Sequence, residues 1–138
     1  MSFSLAIAGG DLVQSGSQLG IVYGSDKLKQ DLMLWLTERY GIDRFHPVMG
    51  CDFQNYIGGI IGYHTQTRVQ SETQRVLDNY QKVQFMGLRQ APTLYSLSEL
   101  LWSIDSIHVA MSYDTVSVVI SVSNAEQNPL SISVSQGV

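Results

Sequence analysis

Residues 26 to 53, DKLKQDLMLWLTERYGIDRFHPVMGCDF, limit the possible folds of this chain more than any other stretch. Leu28, Leu32, Trp35 and Leu36 recur at i, i+4, i+7 and i+8, so one helix face is apolar and needs a core to cover it. Ser25 is the expected N-cap, and Asp26 lies beside the positive helix terminus. Gly41 supplies a left-handed stop, after which Asp43, Arg44, Phe45, His46, Pro47 and Gly50 form a shaped loop that delivers Asp52 and Phe53 to a second helix.

The rest of the chain divides by period. Residues 3 to 23 read as two or three short strands broken by Gly9-Gly10 and Ser15-Gly16-Ser17. Phe53, Tyr56, Ile57, Ile60 and Ile61 keep helical spacing, although Gly58 and Gly59 each weaken that segment by about 1 kcal/mol relative to Ala. A third helix starts near Thr65 with Val69, Thr73, Val76, Leu77 and Tyr80 on one side, and ends by Lys82. Val83, Phe85 and Leu88 then suggest a strand, and Ser96-Leu97-Ser98-Glu99 is a capping-box pattern opening a short helix through Trp102. Strands at 104 to 111 and 115 to 123 flank Ser112-Tyr113-Asp114, and a turn at Asn124 to Asn128 leads to the last strand. The expected fold is a single α+β domain over residues 1 to 138. Its N-terminal helices pack on a mixed, mainly antiparallel sheet from the C-terminal half.

In that last strand Leu130, Ile132 and Val134 alternate with Ser131, Ser133 and Ser135. The alternation predicts a strand buried on one face. From Gln90 to Val138 there are four acidic residues and no lysine or arginine, so the lysine that commonly blocks edge pairing is missing. Two placements remain open: the strand lies inside the sheet, covered by the N-terminal strands, or it is an edge able to accept a strand from another chain.

Charge and motif chemistry exclude several classes of function. With 14% charged residues, a net charge of -4 and a pI near 5.1, the chain lacks the basic face that phosphate backbones require, so no direct nucleic-acid partner is expected. No segment approaches the length of a membrane span, and no basic residue precedes the short apolar run at the N-terminus, so folding in a reducing cytoplasm is expected. Cys51 is the single cysteine, no Cys/His spacing fits zinc, and no cofactor is implied. Glu38, Asp43 and Asp52 are the candidate carboxylates for glycoside hydrolysis, but Arg39 and Arg44 beside two of them favour the ionised form, the wrong state for a general acid. Cys51 near His46 is the one candidate nucleophile, with inert packing as its ordinary reading. His64 is expected in a link between helices and His108 in a strand. Gly58-Gly59 and Gly62 lack the spacing and lysine of a phosphate loop. For Arg39, Arg44 and Phe45 two readings stand together: the arginines tie the loop to Glu38, Asp43 and Asp52 while Phe45 and Met49 seal the helices, or these side chains anchor a partner.

The order of Leu36-Thr37-Glu38-Arg39-Tyr40-Gly41, Asp43-Arg44-Phe45, Pro47, Met49-Gly50 and a following amphipathic helix resembles the sheath-initiator family of contractile-tail baseplates, also filed as "lysozyme-like" wedge proteins. The resemblance covers roughly residues 20 to 138. It implies a structural, non-enzymatic protein of the virion tail baseplate, made in the host cytoplasm and present in six copies around the tail tube. Its implied partners are the tail sheath protein, through a C-terminal strand at Leu130, Ser131, Ile132, Ser133 and Val134, and the baseplate wedge proteins, through Arg39, Arg44, Phe45 and Lys82. The family's Glu-Pro-Arg motif between the third helix and the next strand is replaced here by Asp78-Asn79-Tyr80-Gln81-Lys82-Val83, so only the basic character persists, at Lys82. The alternative within the same resemblance is a tail-associated peptidoglycan hydrolase.

Overall fold

A computed structural model describes residues 2–45, 47, 49–53, 63–112 and 115–137. Six short strands precede the first helix: β1 (Phe3–Leu5), β2 (Ile7–Ala8), β3 (Asp11–Leu12), β4 (Gln14–Ser15), β5 (Gln18–Leu19) and β6 (Ile21–Tyr23). They pair as three antiparallel arms, β1 with β6, β2 with β3 and β4 with β5. The arms meet at a closed ring of three backbone hydrogen bonds: Ala6 N–H donates to the Gly20 carbonyl (2.8 Å), Gly20 N–H to that of Val13 (2.7 Å), and Val13 N–H to that of Ala6 (2.9 Å). A Cβ on Gly20 would lie 3.2 Å from the Val13 carbonyl oxygen, so the tight junction favours glycine there.

This arrangement corrects the expected fold class. The N-terminal region is strand-rich rather than a set of helices laid on a C-terminal sheet. The physical reason is the period: Phe3, Leu5 and Ile7 alternate with Ser4, Ala6 and Ala8, and glycines with positive φ at 9, 10 and 16 turn the arms before any helical stripe begins.

Helix α1 (Gly24–Thr37) buries Leu28, Leu32, Trp35 and Leu36, the four residues of the predicted stripe. Its N-cap is Tyr23 rather than Ser25, because Gly24 at φ 64° turns the chain from β6 directly into the helix. Gln30 fastens the strands to α1. Its side-chain NH₂ donates to the Leu5 carbonyl (2.8 Å), and its side-chain carbonyl accepts from Ile7 N–H (3.0 Å).

The expected helix from Phe53 through Ile61 lies outside the described residues except for Phe53, which is buried. Helix α2 (Tyr63–Gln90) includes His64, expected in a link, and continues through the predicted strand at Val83, Phe85 and Leu88. Helix wins there because Val76, Leu77, Tyr80, Val83 and Gln84 keep a 3.6-residue face against the core. Trp35 of α1 meets Tyr80 of α2 edge to face, with ring centroids 5.2 Å apart.

After α2, the capping box at Ser96 and Glu99 forms, but it starts a single 3₁₀ turn, Leu97–Glu99, and Trp102 belongs to the next strand. The Glu99 side chain is only 1% exposed and accepts hydrogen bonds from Ser96 N–H (2.7 Å) and the Ser2 hydroxyl (2.8 Å), tying the residue before β1 to the 3₁₀ turn. Three strands complete the fold: β7 (Leu101–Met111), β8 (Thr115–Asn124) and β9 (Pro129–Gly137), antiparallel in that order. Val116, Val118, Ile120 and Val122 of β8, with Ile132 and Val134 of β9, face the helices and form one core with the α1 stripe.

Candidate interaction surfaces

The sheet has two edges, and they differ. Along β7, α2 supplies glutamines that occupy edge carbonyls: Gln66 donates to Val109 (3.2 Å), and Gln81 to Leu101 (3.2 Å) and Trp102 (2.9 Å). Two register irregularities, between Leu101 and Ser103 and between Ile104 and Ser106, bend the same strand. Gln84 closes its start, accepting from Leu101 N–H (2.7 Å) and donating to the Glu99 carbonyl (2.6 Å). This edge is protected.

The β9 edge is not. Its ladder to β8 runs unbroken from Pro129 opposite Ser123 to Gly137 opposite Thr115. Among the described residues, its only other hydrogen bond joins the Ser135 and Ser117 hydroxyls (3.2 Å). Half of an edge strand's N–H and C=O groups point away from its neighbour, so β9 presents an open row of donors and acceptors. Of the residues expected at a sheath contact, Ile132 and Val134 are buried, Leu130 is half-buried, and Ser131 and Ser133 are exposed. The apolar half of the strand therefore holds it to the core, where α1 packs against it, while among the described residues no other element hydrogen-bonds to its outer edge.

The second surface is the loop after α1. Cys51 N–H donates to the Glu38 carbonyl (2.8 Å), Gly41 N–H to Met49 (3.3 Å), and Arg39 and Cys51 form a parallel bridge. These contacts close residues 38 to 51 into an Ω-shaped loop. Gly50 at φ 105° makes the neck possible, because a Cβ there would collide with the backbone of Arg39 and Tyr40.

A clasp on α2 holds this neck. The buried Glu72 carboxylate accepts from Asp52 N–H (2.8 Å) and from Arg75 Nε (2.9 Å) and Nη2, while Arg75 Nη2 also donates to the Gly50 carbonyl (3.2 Å). The Arg75 guanidinium lies 4.8 Å above the Tyr40 ring. At the tip, Ile42 is 61% exposed and Phe45 is 90% exposed, and Asp43 Oδ1 accepts from Phe45 N–H (2.8 Å). Phe45 does not seal the helices as one reading expected; Met49 does pack on the core. Nor does Arg39 or Arg44 make an ion pair with another described residue. Both are exposed, and Arg75 of α2 is the arginine that ties the loop.

Arg39 and Val134, expected at different interfaces, line one cleft of about 210 Å³ with Leu36, Cys51 and Phe53. Lys82 stands apart, exposed on α2 rather than in the expected link between helix and strand. His46 lies outside the described residues, as do Tyr113 and Asp114 of the β7–β8 turn.

Of the candidate catalytic groups, Cys51 is buried, and burial followed by the Glu72 charge pushes its thiol up to about 12. A thiol protonated at neutral pH is the wrong state for a nucleophile. Glu38 and Asp43 line a hollow of about 240 Å³ that also contains Arg39, whereas Asp52 is engaged through its backbone with Glu72. Among the described residues, no three His, Cys, Asp or Glu side chains gather as metal ligands, and no helix is long and apolar enough to cross a membrane.

Sequence reasoning missed the Glu72–Arg75 clasp, whose i, i+3 spacing is also that of an ordinary solvated helix pair. It also missed Gln66, Gln81 and Gln84. Their only signal is an excess of glutamine on α2 where lysine or glutamate would serve a solvated face equally well. No protein-family model matches the chain, and no curated protein matches it.

Proposed function

We propose that this protein is a structural component of a contractile-tail baseplate that links the wedge to the tail sheath. Its C-terminal strand offers its outer edge to a strand of the first sheath ring. The observation that carries this reading is the contrast between the two edges of one sheet: glutamines of α2 bond to carbonyls of β7, whereas among the described residues no other element hydrogen-bonds to the outer edge of β9, and the strand carries no basic residue of its own. The resemblance of residues 32 to 53 to sheath initiators supplies the partner. The exposed Phe45 and Arg44 on a clasped loop, with Arg39 at its neck, fit the anchor chemistry of a wedge contact. In this reading six copies surround the tail tube, and each sets the register of one sheath strand.

Backbone hydrogen exchange with purified sheath subunit tests the mechanism. Added sheath is expected to slow exchange at outward-facing amides between Leu130 and Val134, leaving the inward-facing ones unchanged. Protection confined to other elements, or no protection at all, contradicts strand addition.

A further inference from the structure

The three arms at the N-terminus carry a second surface that does not depend on the tail reading. Leu5, Leu12 and Leu19 recur every seven residues, each just before one residue of the Ala6, Val13 and Gly20 ring. Within the arms, Leu5 pairs with Ile21, Ile7 with Leu12 and Gln14 with Leu19. Directly opposed residues share a face, and period-two alternation places all six on the side opposite Ala6, Val13 and Gly20. Those three are half-buried. The Phe3–Tyr23 pair extends the first arm on the same outward side.

Seven large apolar side chains are exposed on this face: Phe3 65%, Leu5 42%, Ile7 37%, Leu12 47%, Leu19 51%, Ile21 53% and Tyr23 56%. Together they present roughly 600 Å² of side-chain surface, at the upper end of the largest apolar patch on a typical monomer. We propose that this rosette is the two-fold interface of a homodimer.

Three observations favour a second copy as the occupant. The area, with the neutral polar rim of Gln14, Ser15 and Gln18, approaches the roughly 800 Å² per partner of a standard interface. Between Ser2 and Ser25 the only charged residue is Asp11. Two copies of a chain with net charge -4 repel over most of their surface and least across this face. A neutral apolar face also complements itself, so two-fold pairing buries each copy's rosette and closes without a further binding site.

Sedimentation velocity on the full chain from about 1 to 300 μM tests the proposal, with Leu12→Asp, Leu19→Asp and, as control, Val119→Asp on the sheet's outer face. The two-fold axis introduces each substitution twice, so both rosette variants are expected to weaken dimerisation at least tenfold. Unchanged far-UV circular dichroism will show that they remain folded, and Val119→Asp is expected to leave the dimer intact. A wild-type monomer at 300 μM overturns the proposal, as does a dimer indifferent to both leucine changes, one lost with Val119→Asp, or an assembly larger than two.

Discussion

Ending the chain at Asn128 is expected to unfold the protein rather than simply remove a docking strand. Ile132 is 1% exposed and Val134 8%, and they pair with Ile120 and Val118 of β8 in the centre of the core. Each buried side chain of this size contributes roughly 1.5–3 kcal/mol, so losing Leu130, Ile132 and Val134 removes about 5–8 kcal/mol before the uncovered face of β8 is counted. The stability of a small domain is typically about 5–15 kcal/mol, so little or none remains. The expected result is loss of the cooperative thermal transition in the truncated chain. A truncated protein with the melting profile of the full chain would show that β9 is not part of the core. Truncation is therefore a poor test of partner binding, since a failure to bind has a trivial cause.

Glu72→Ala is expected to destabilise the folded protein by about 3 kcal/mol and to free the neck of the Ω-loop. The substitution leaves the Asp52 N–H without its acceptor, at about 1–3 kcal/mol, and takes from Arg75 the carboxylate that orients it toward the Gly50 carbonyl. For a chain of this length the change corresponds to a fall of roughly 10 °C in Tm. Glu72→Gln retains an acceptor for Asp52 and is expected to lose about half as much. Urea unfolding gives the energies, and hydrogen exchange at Cys51 and Asp52 reports the neck. A loss below about 1 kcal/mol, or unchanged exchange at those amides, would mean that the loop is held by other contacts. The clasp also bears on recognition, because Phe45 can serve as an anchor only while the neck keeps the loop's shape.

The residues that made the fold legible are those whose partners are close in sequence or whose period is unbroken. Leu28, Leu32, Trp35 and Leu36 named the buried face of α1, and Val116, Val118, Ile120 and Val122 the buried face of β8, because periods of 3.6 and 2.0 admit few alternatives. The serine alternation in β9 likewise identified a strand buried on one face. Only tertiary structure decided that β9 is an edge, since that depends on which strand lies beside β8 and on where the N-terminal strands go.

The failures share one cause. Val83 and Phe85 are spaced like strand residues, yet Val83 packs on the core and Gln84 bonds to Glu99 and Leu101, contacts that extend α2 by two turns. The three-armed N-terminus depends on bonds among Ala6, Val13 and Gly20, each seven or more residues from its partner, and local propensity does not encode such closure. Glu72 is buried because a loop twenty residues away folds over it. In the candidate sites the residue types were readable and their roles were not: Arg39 and Arg44 were the expected loop ties, and Arg75 is the tie that forms.

Whether β9 recruits a partner through its outer edge is tested by sheath-subunit capture with the full chain and with the Ser131→Lys/Ser133→Lys variant. Both serines are exposed, so the lysines add the guard that natural edges carry while sparing Ile132 and Val134. Strand addition at β9 predicts an unchanged Tm and capture reduced at least tenfold. Equal capture by both proteins would contradict strand addition and place the sheath contact on another surface.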